Sequence, residues 1–154
     1  MSVKAPPAGI LEERRSSAGL LLALLGQDAM RRLRDAHTAH GLMPRQFQVL
    51  GLLADLGPMG QRELGQAMAT DPSILVTLLN PLEADGLLAR TRDPADRRRH
   101  VVTLTAKGKR KLNRAAEAQR TAEDMIFAGL SSEQRADLRE LLIALRDNRA
   151  ATSA

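Results

Sequence analysis

The sequence predicts an all-α fold that is mostly helical and carries one small β-hairpin. Hydrophobic residues make up 44% of the 154-residue chain, whereas aromatic residues make up only 1%. Leucine and alanine dominate the apolar fraction, and they favour helices over strands, which prefer β-branched and aromatic residues. Apolar residues also recur every three or four positions in several segments, which is the period of an amphipathic helix. The length matches one ordinary domain.

The composition excludes several functional classes. The chain has no cysteine, which excludes a disulfide framework, thiolate catalysis and sensing through cysteine oxidation. The longest apolar run, residues 19–26, is too short to span a bilayer, and residues 1–9 lack the pattern of a secretory signal. We therefore expect a soluble, cytoplasmic protein with no membrane partner. The three histidines have no metal-binding spacing, so we expect no metal and no cofactor.

Positive charge is concentrated in one part of the chain. The net charge is +5, yet residues 90–114 contain ten Lys or Arg and only two Asp. That block therefore carries a charge of +8, and the rest of the chain carries −3. A basic block in a mildly acidic chain is typical of a surface that binds a polyanion. A solvated helix face would give the same pattern.

The N-terminal third predicts an arm followed by a long helix. Residues 1–9 contain two prolines and no apolar period, so we expect a mobile arm. Residues 10–40 contain no proline and predict one helix, which Gly41 ends. Five leucines within residues 20–25 cover most of the helix circumference, which is more than a one-sided surface helix needs. A partner surface is therefore expected.

Two shorter helices follow. Pro44 suits the first turn of a helix, because its missing N–H would be unpaired there, and this helix is expected to end near Gly57. Residues 61–69 predict a short helix with Gly60 as N-cap, and Glu63 completes half of a capping box.

A well-capped helix comes next. The Asp71 carboxylate can accept the free backbone N–H groups of a first turn, and Pro72 pre-sets its φ angle, so a helix is expected to begin here and to end at Gly86. Two short helices separated by a tight turn, the second opened by a good cap, form the helix-turn-helix pattern.

The remainder predicts a hairpin and two helices. Residues 87–89 and 101–104 flank a basic, proline-containing stretch, and the second segment is mostly β-branched, which favours a hairpin. Thr105 caps a long helix, and Ser131 with Gln134 forms a capping box for the last one. Four leucines of the last helix keep the spacing of a core or dimer stripe, namely Leu138, Leu141, Leu142 and Leu145.

The order of these elements resembles the MarR family of winged helix-turn-helix transcription regulators over nearly the whole chain. The segment LEADGLLARTRDPADRRRHVVTLTAKGKRKL is similar to the family's wing signature, with Asp-x-Arg at the tip, a strand ending in Leu-Thr and a lysine-bearing helix. The resemblance implies a single domain over residues 10–154. Within it, residues 44–104 form the winged helix-turn-helix, and residues 10–40 and 106–150 form dimerisation helices.

The same resemblance implies a homodimer that binds a palindromic operator in double-stranded DNA, as a repressor that responds to a ligand. It places Arg98 in the minor groove at the wing tip, where Asp96 holds it in position. Arg97 and Arg99 would contact phosphates, which raises affinity without reading sequence. A surface Asp–Arg pair with no partner is the alternative.

The predicted recognition helix offers no basic residue, which leaves hydroxyl and amide groups as direct readers. Ile74 and Val76 either contact thymine methyl groups or are buried. Pro81 lacks a backbone donor and predicts a bend after Thr77. The residues of this helix that we expect to contact DNA are Ser73, Ile74, Val76, Thr77 and Asn80.

Members of this family often bind small anionic or phenolic effectors between the dimer helices and the DNA-binding lobe. The candidate residues here are Arg31, Arg32, His37 and Arg45. Charged residues on long helices are more often solvated than engaged with a ligand.

Two other functional classes compete with a regulator. A DNA-packaging protein without a sensing role would use the basic wing equally well. An enzyme is not expected, because no nucleophile with a base, no phosphate loop and no clustered carboxylates occur.

Overall fold

The computed structural model of the chain describes residues 17–152, with side chains through residue 148. The expected arm, residues 1–9, and the first part of the predicted first helix lie outside the described residues. The described elements are α1 (Ala18–Thr38), α2 (Pro44–Leu56), β1 (Met59–Gly60), α3 (Gln61–Ala67), α4 (Pro72–Ala84), β2 (Leu88–Arg92), β3 (His100–Leu104), α5 (Ala106–Ile126) and α6 (Ser132–Thr152). The predicted fold class, mostly helical with a small hairpin, is confirmed.

The helix starts follow from local chemistry, and those predicted after the first helix are confirmed. The first prediction, one helix from residue 10, is wrong in its start: Ser17 has extended backbone, its Oγ accepts from the N–H of Leu20 at 3.1 Å, and α1 therefore begins at Ala18. The Asp71 Oδ1 accepts from the backbone N–H of Ser73 at 2.8 Å and opens α4. Thr105 Oγ1 accepts from the N–H of Gly108 at 3.0 Å and opens α5. Ser131 and Gln134 exchange two hydrogen bonds of 2.9 and 3.2 Å before α6. Each cap supplies an acceptor to N–H groups that have no partner within the helix.

The three strands form an antiparallel sheet in the order β1–β3–β2. The hairpin of β2 and β3, which we call the wing, pairs Leu88 with Leu104 at its base and Arg92 with His100 near its tip. The base is buried and the tip is exposed. The apolar base therefore anchors the wing in the core, while its charged tip extends into solvent.

The core lies inside the helix-turn-helix and wing rather than between the terminal helices. It is built almost entirely from aliphatic side chains, as the low aromatic content predicts. The buried hydrophobic residues are Leu42, Val49, Leu50, Leu53, Met59, Leu64, Met68, Leu75, Leu79, Leu82, Leu87, Leu88, Val102, Leu112 and Ala115.

A close backbone contact fixes the wing against α5. A Cβ built on Gly108 would lie 1.9 Å from the Leu87 carbonyl oxygen, so only glycine fits at this crossing. The backbone N–H of Thr105 donates to the same oxygen at 3.1 Å. Lys107 Nζ donates to the Asp85 carbonyl at 2.6 Å, beside the C-terminus of α4. These contacts hold the end of α4, the base of the wing and the start of α5 as one unit.

The terminal helices leave apolar side chains without cover. α1 packs along α5, whereas α6 meets the end of α5 through Arg135, which donates to Asp124 Oδ1 at 2.9 Å and to the Phe127 carbonyl at 3.2 Å. Leu25 is 66% exposed and Leu141 is 64% exposed. The other large apolar side chains exposed on these helices are Leu20, Leu21, Leu22, Leu24, Met30, Met125, Leu142 and Leu145. Wide apolar faces of this kind are the expected partner surface.

α4 continues through Pro81 to Ala84 without a break. The proline removes the N–H that would donate to the Thr77 carbonyl, as the sequence predicts. The bend after Thr77 stays a prediction.

Candidate nucleic-acid interface

α4 has two chemically distinct faces. Leu75, Leu79 and Leu82 are buried in the core. The opposite face exposes the predicted DNA contacts Ser73, Ile74, Thr77 and Asn80, with Val76 half-buried. Ile74 is 50% exposed, so the alternative that it is simply a core residue is wrong.

The two hydroxyl groups on this face form local hydrogen bonds. Ser73 Oγ donates to Asp71 Oδ1 at 2.6 Å, and Thr77 Oγ1 donates to the Ser73 carbonyl at 3.1 Å. The hydrogen bonds from the side chain and backbone of Ser73 hold the pKa of Asp71 below its usual value. With their hydrogens engaged, both hydroxyl oxygens present acceptor lone pairs to solvent.

A strand arginine ties the wing to α4. Arg90 Nε donates to Glu83 Oε2 at 2.9 Å, and the backbone N–H of Arg90 donates to Glu83 Oε1 at 3.2 Å. Arg90 Nη2 donates to the same Glu83 carboxylate and, at 2.8 Å, to Asn80 Oδ1. The Arg90 side chain hydrogen bonds lower the pKa of Glu83. The sequence carries no local signal of this link, because Arg90 lies seven residues from Glu83 and ten from Asn80 and belongs to the basic block.

The wing tip differs in one respect from the expectation that Asp96 holds the Arg98 side chain. Asp96 Oδ1 accepts from the backbone N–H of Arg98 at 3.1 Å, whereas Asp96 Oδ2 lies 3.4 Å from Arg99 Nε. An aspartate in a tight turn commonly binds the backbone two residues on. Asp96 therefore orders the backbone at Arg98 and pairs with Arg99, whose side chain is not a free phosphate contact here.

The guanidinium groups of Arg97 and Arg98 are exposed, and neither has a side-chain partner within residues 17–148. Free guanidinium groups on an ordered turn suit contact with an anionic polymer, because they lose few internal bonds on binding.

The turn between α3 and α4 is held from α2. Arg45 Nη2 donates to Thr70 Oγ1 at 2.9 Å and to the Met68 carbonyl at 3.3 Å. Ala69, between these two acceptors, has a φ of 46°, in the left-handed region that disfavours a side chain. The hydrogen bonds from Arg45 thus stabilise a turn whose backbone is strained at Ala69.

The four expected effector residues have separate surroundings. Arg31 and Arg32 both bind Asp28 on the surface of α1. Arg32 also borders a groove of about 480 Å³ between α1 and α5, whose lining includes none of the other three. His37 is buried and Arg45 holds the turn described above. The structure therefore does not bring the four together in one cleft.

A second groove lies between the end of α5 and α6. It measures about 500 Å³ and combines apolar side chains with three arginines. Its lining consists of Glu123, Phe127, Arg135, Leu138, Arg139, Leu142, Ile143 and Arg146.

The described part of the chain holds no candidate metal site and no candidate membrane span. No three His, Asp or Glu side chains there are grouped so that they could hold a metal ion. None of the described helices combines the length and apolar character needed to cross a bilayer.

The sequence matches known proteins over its central part. The model of the MarR family matches residues 42–100. The putative transcriptional regulatory protein for the hcr operon of Thauera aromatica is 33% identical over 109 residues, which cover 71% of this chain and 66% of that protein. The match thus spans just under two thirds of that relative. Transcriptional regulator HosA of Escherichia coli O111:H- is 32% identical over 111 residues, which cover 68% of this chain and 82% of HosA.

Solved structures match over most of the fold. A MarR family transcriptional regulator from Rhodococcus sp. RHA1 is 30% identical, with a TM-score of 0.68 and coverage of 82% of this chain and 90% of that chain. BpsR from Bordetella bronchiseptica, whose DNA binding is regulated by 6-hydroxynicotinic acid, is 27% identical, with a TM-score of 0.70 and coverage of 92% and 99%.

Proposed function

The chain belongs to the MarR family, and from this we propose that it is a transcription regulator that binds double-stranded DNA as a homodimer and responds to a small effector. The observation that carries the proposal is the joined unit of α4 and the wing. The capped helix carries an exposed polar face, the turn at the wing tip carries two free arginines, and hydrogen bonds from Arg90 link the helix to the wing. Helix and wing can therefore meet DNA together.

In the proposed complex, α4 enters the major groove and the wing reaches the neighbouring minor groove. Arg98 suits a narrow minor groove, where negative potential is enhanced. Arg97 supplies a phosphate contact, and Arg99 does so once it leaves Asp96. Ile74 is exposed enough to contact a thymine methyl group, while half-buried Val76 contributes less.

Dimerisation is proposed to use α1 and α6. Both helices expose several leucines to solvent, and exposed apolar faces of this kind mark interaction surfaces. Two recognition helices on a symmetric site must lie about 34 Å apart, one turn of B-DNA. Long helices covered by a second copy provide the fixed spacing that this requires.

The proposed effector is a small anionic or phenolic molecule, the class that includes 6-hydroxynicotinic acid, which regulates DNA binding by BpsR. Arg31, Arg32, His37 and Arg45 stay candidate contacts, but because they do not share one cleft a single effector would meet only one of these places, and we propose Arg45. Arg45 offers a direct route to α4, because drawing it away from Thr70 would release the turn that precedes the helix. Such a ligand would loosen the hold on DNA.

Selection of bound sequences from random double-stranded DNA by the purified protein tests the regulator proposal. We expect a palindromic motif with half-sites about one helical turn apart. Strongly salt-dependent binding with no preferred sequence would instead support a packaging protein. A cytoplasmic location follows from the DNA partner. No catalytic role is proposed, and steady turnover by the purified protein would contradict this.

A further inference from the structure

The side chain of Asn80 is exposed on α4, and its orientation is fixed by Arg90. Arg90 Nη2 lies 2.8 Å from Asn80 Oδ1. A guanidinium group only donates hydrogen bonds, so the carbonyl end of the carboxamide must face it. The amide nitrogen of Asn80, with its two N–H donors, is therefore directed away from Arg90.

Arg90 is itself held in place, so the orientation is built into the fold. Its side chain is only 20% exposed and binds the Glu83 carboxylate through Nε and Nη2. The backbone N–H of Arg90 also donates to Glu83 at 3.2 Å. One planar group thus spans two side chains one helical turn apart on α4, which a compact ammonium cannot do in the same way.

An unrestrained asparagine typically recognises adenine. Its carbonyl oxygen accepts from the adenine N6 amino group while its amide nitrogen donates to N7. Both hydrogen bonds require the carbonyl and the amide ends to face the base together. In this chain Arg90 engages one of the two lone pairs of Asn80 Oδ1 and holds the carbonyl end toward the wing, so the amide end, with its two donors, is the end turned outward.

We propose, on the basis of the proposed DNA-binding function, that Arg90 is a positioning residue that turns the amide donors of Asn80 outward, so that Asn80 prefers guanine to adenine. Guanine presents two neighbouring acceptors, O6 and N7, in the major groove, whereas adenine presents a donor beside its N7. Thymine, with the single acceptor O4, ranks second. α4 has no basic residue of its own, and Arg90 of β2 gives it a preference for guanine through Asn80.

The test repeats the selection from random DNA with the parent and with four purified variants, each first checked for native helical content. Asn80→Ala identifies the base position that Asn80 contacts, because preference there should vanish. In the parent, guanine is expected at that position, and replacing it by adenine should weaken binding about tenfold or more. Arg90→Lys keeps the positive charge and a contact to Glu83, but an ammonium group cannot bind Glu83 and Asn80 at once as the guanidinium does. The affinity for a site with adenine at that position should then be within about threefold of the affinity for guanine.

Asn80→Asp provides a second test that does not alter Arg90. A carboxylate near Arg90 has no hydrogen to donate, so the preference should move to the bases with amino groups, cytosine or adenine. Arg92→Lys, on the same strand and without a partner in the described residues, is the matched control and should leave the preferred sequence unchanged.

The outcomes separate the two proposals. A preferred palindrome that is identical in the parent, Asn80→Ala and Arg90→Lys overturns the role of Arg90 and Asn80 and leaves the regulator proposal intact. Adenine in the parent at the position that Asn80→Ala affects also overturns it. Absence of any preferred sequence in the parent overturns both proposals. If Arg90→Lys does not fold, the base preferred by the parent and the change of preference in Asn80→Asp still test the role of Asn80.

Discussion

The imidazole of His37 meets the carboxamide of Gln119 where α1 crosses α5, with Nε2 2.9 Å from Oε1. The amide oxygen accepts, so Nε2 carries the hydrogen. The ring also stacks on Phe47 of α2, with centroids 4.1 Å apart. Because His37 Nδ1 is buried with no partner in the described residues, the bond to Gln119 is the only one that the ring makes there. One side chain thus joins three helices.

Replacing Gln119 by alanine should therefore destabilise the junction. The change leaves a buried N–H donor without an acceptor, which typically costs about 1–3 kcal/mol. Urea unfolding, monitored by helical circular dichroism, measures the difference. The matched control is Gln66→Ala on the exposed face of α3, which should change the unfolding free energy by less than about 0.5 kcal/mol. Equal effects at the two sites would contradict the role assigned to Gln119.

Two glycine-to-alanine changes should have opposite effects. Gly108→Ala forces a Cβ against the Leu87 carbonyl, so we expect a loss of more than about 3 kcal/mol or failure to fold. Gly51→Ala in α2 meets nothing within 4 Å and should gain about 0.5–1 kcal/mol through helix propensity. The same unfolding measurement compares both. A folded Gly108→Ala protein of parental stability would show that the wing and α5 can separate freely.

Arg98→Ala should weaken operator binding on the order of 1–3 kcal/mol and reduce the salt slope by about one counterion per wing. Asp96→Ala should weaken binding less and leave the slope nearly unchanged, because it disorders the backbone at Arg98 but releases Arg99 from its ion pair. Competition titrations at several salt concentrations measure both quantities. Parental affinity in Arg98→Ala, together with loss of binding in Asn80→Ala, would indicate a passive wing.

Acid should destabilise α4 through its cap. Hydrogen bonds from Ser73 hold the pKa of Asp71 below its ordinary value of 3.8 in the folded chain. A carboxyl group whose pKa is lower in the folded chain stabilises the fold while it is ionised. This stability is fully present when the pH is above the pKa of the unfolded chain, and it is lost as the pH falls through the pKa of the folded chain. Asp71→Asn keeps an acceptor that does not titrate, so its unfolding free energy should fall less steeply below about pH 4. Parallel curves for parent and variant between pH 6 and pH 2 would exclude this contribution.

Leu141→Glu combined with Leu145→Glu should convert the proposed dimer to monomers. Both side chains are exposed on α6, at 64% and 55%, and a charge there cannot be buried against a second copy without a large desolvation cost. Sedimentation velocity at micromolar concentration measures the effect. Leu56→Glu, at an equally exposed leucine on α2, is the control and should stay dimeric. A parent that is already a folded monomer would refute the proposed interface.

The fold could be predicted from the sequence mainly where the signals are local. The caps at Asp71, Thr105 and Ser131 were predicted because acceptor and donor lie within three residues. The wing strands were predicted from two short segments, residues 87–89 and the mostly β-branched residues 101–104, on either side of a basic, proline-containing stretch. Each of these features depends on neighbours that the sequence itself displays.

The site was predicted less completely, because its geometry depends on partners distant in the chain. Nothing near Arg90 indicates that its side chain would reach Asn80 and Glu83 on the preceding helix. At the wing tip, both Arg98 and Arg99 lie within reach of Asp96, and charge alone does not decide between a backbone and a side-chain bond. The scattered positions of Arg31, His37 and Arg45 likewise depend on tertiary packing that residue type does not encode.

The two-faced character of α4 bears on how such a regulator can acquire new target genes. Ser73, Ile74 and Thr77 lie opposite the buried leucines, so substitutions there leave the core untouched and a duplicated copy of the gene is free to drift toward another operator. Asn80 differs, because its orientation depends on a residue of the wing. Evolution at that position should therefore proceed in pairs, with changes at Asn80 and Arg90 occurring together, and a redesign of target choice should vary both residues in the same library.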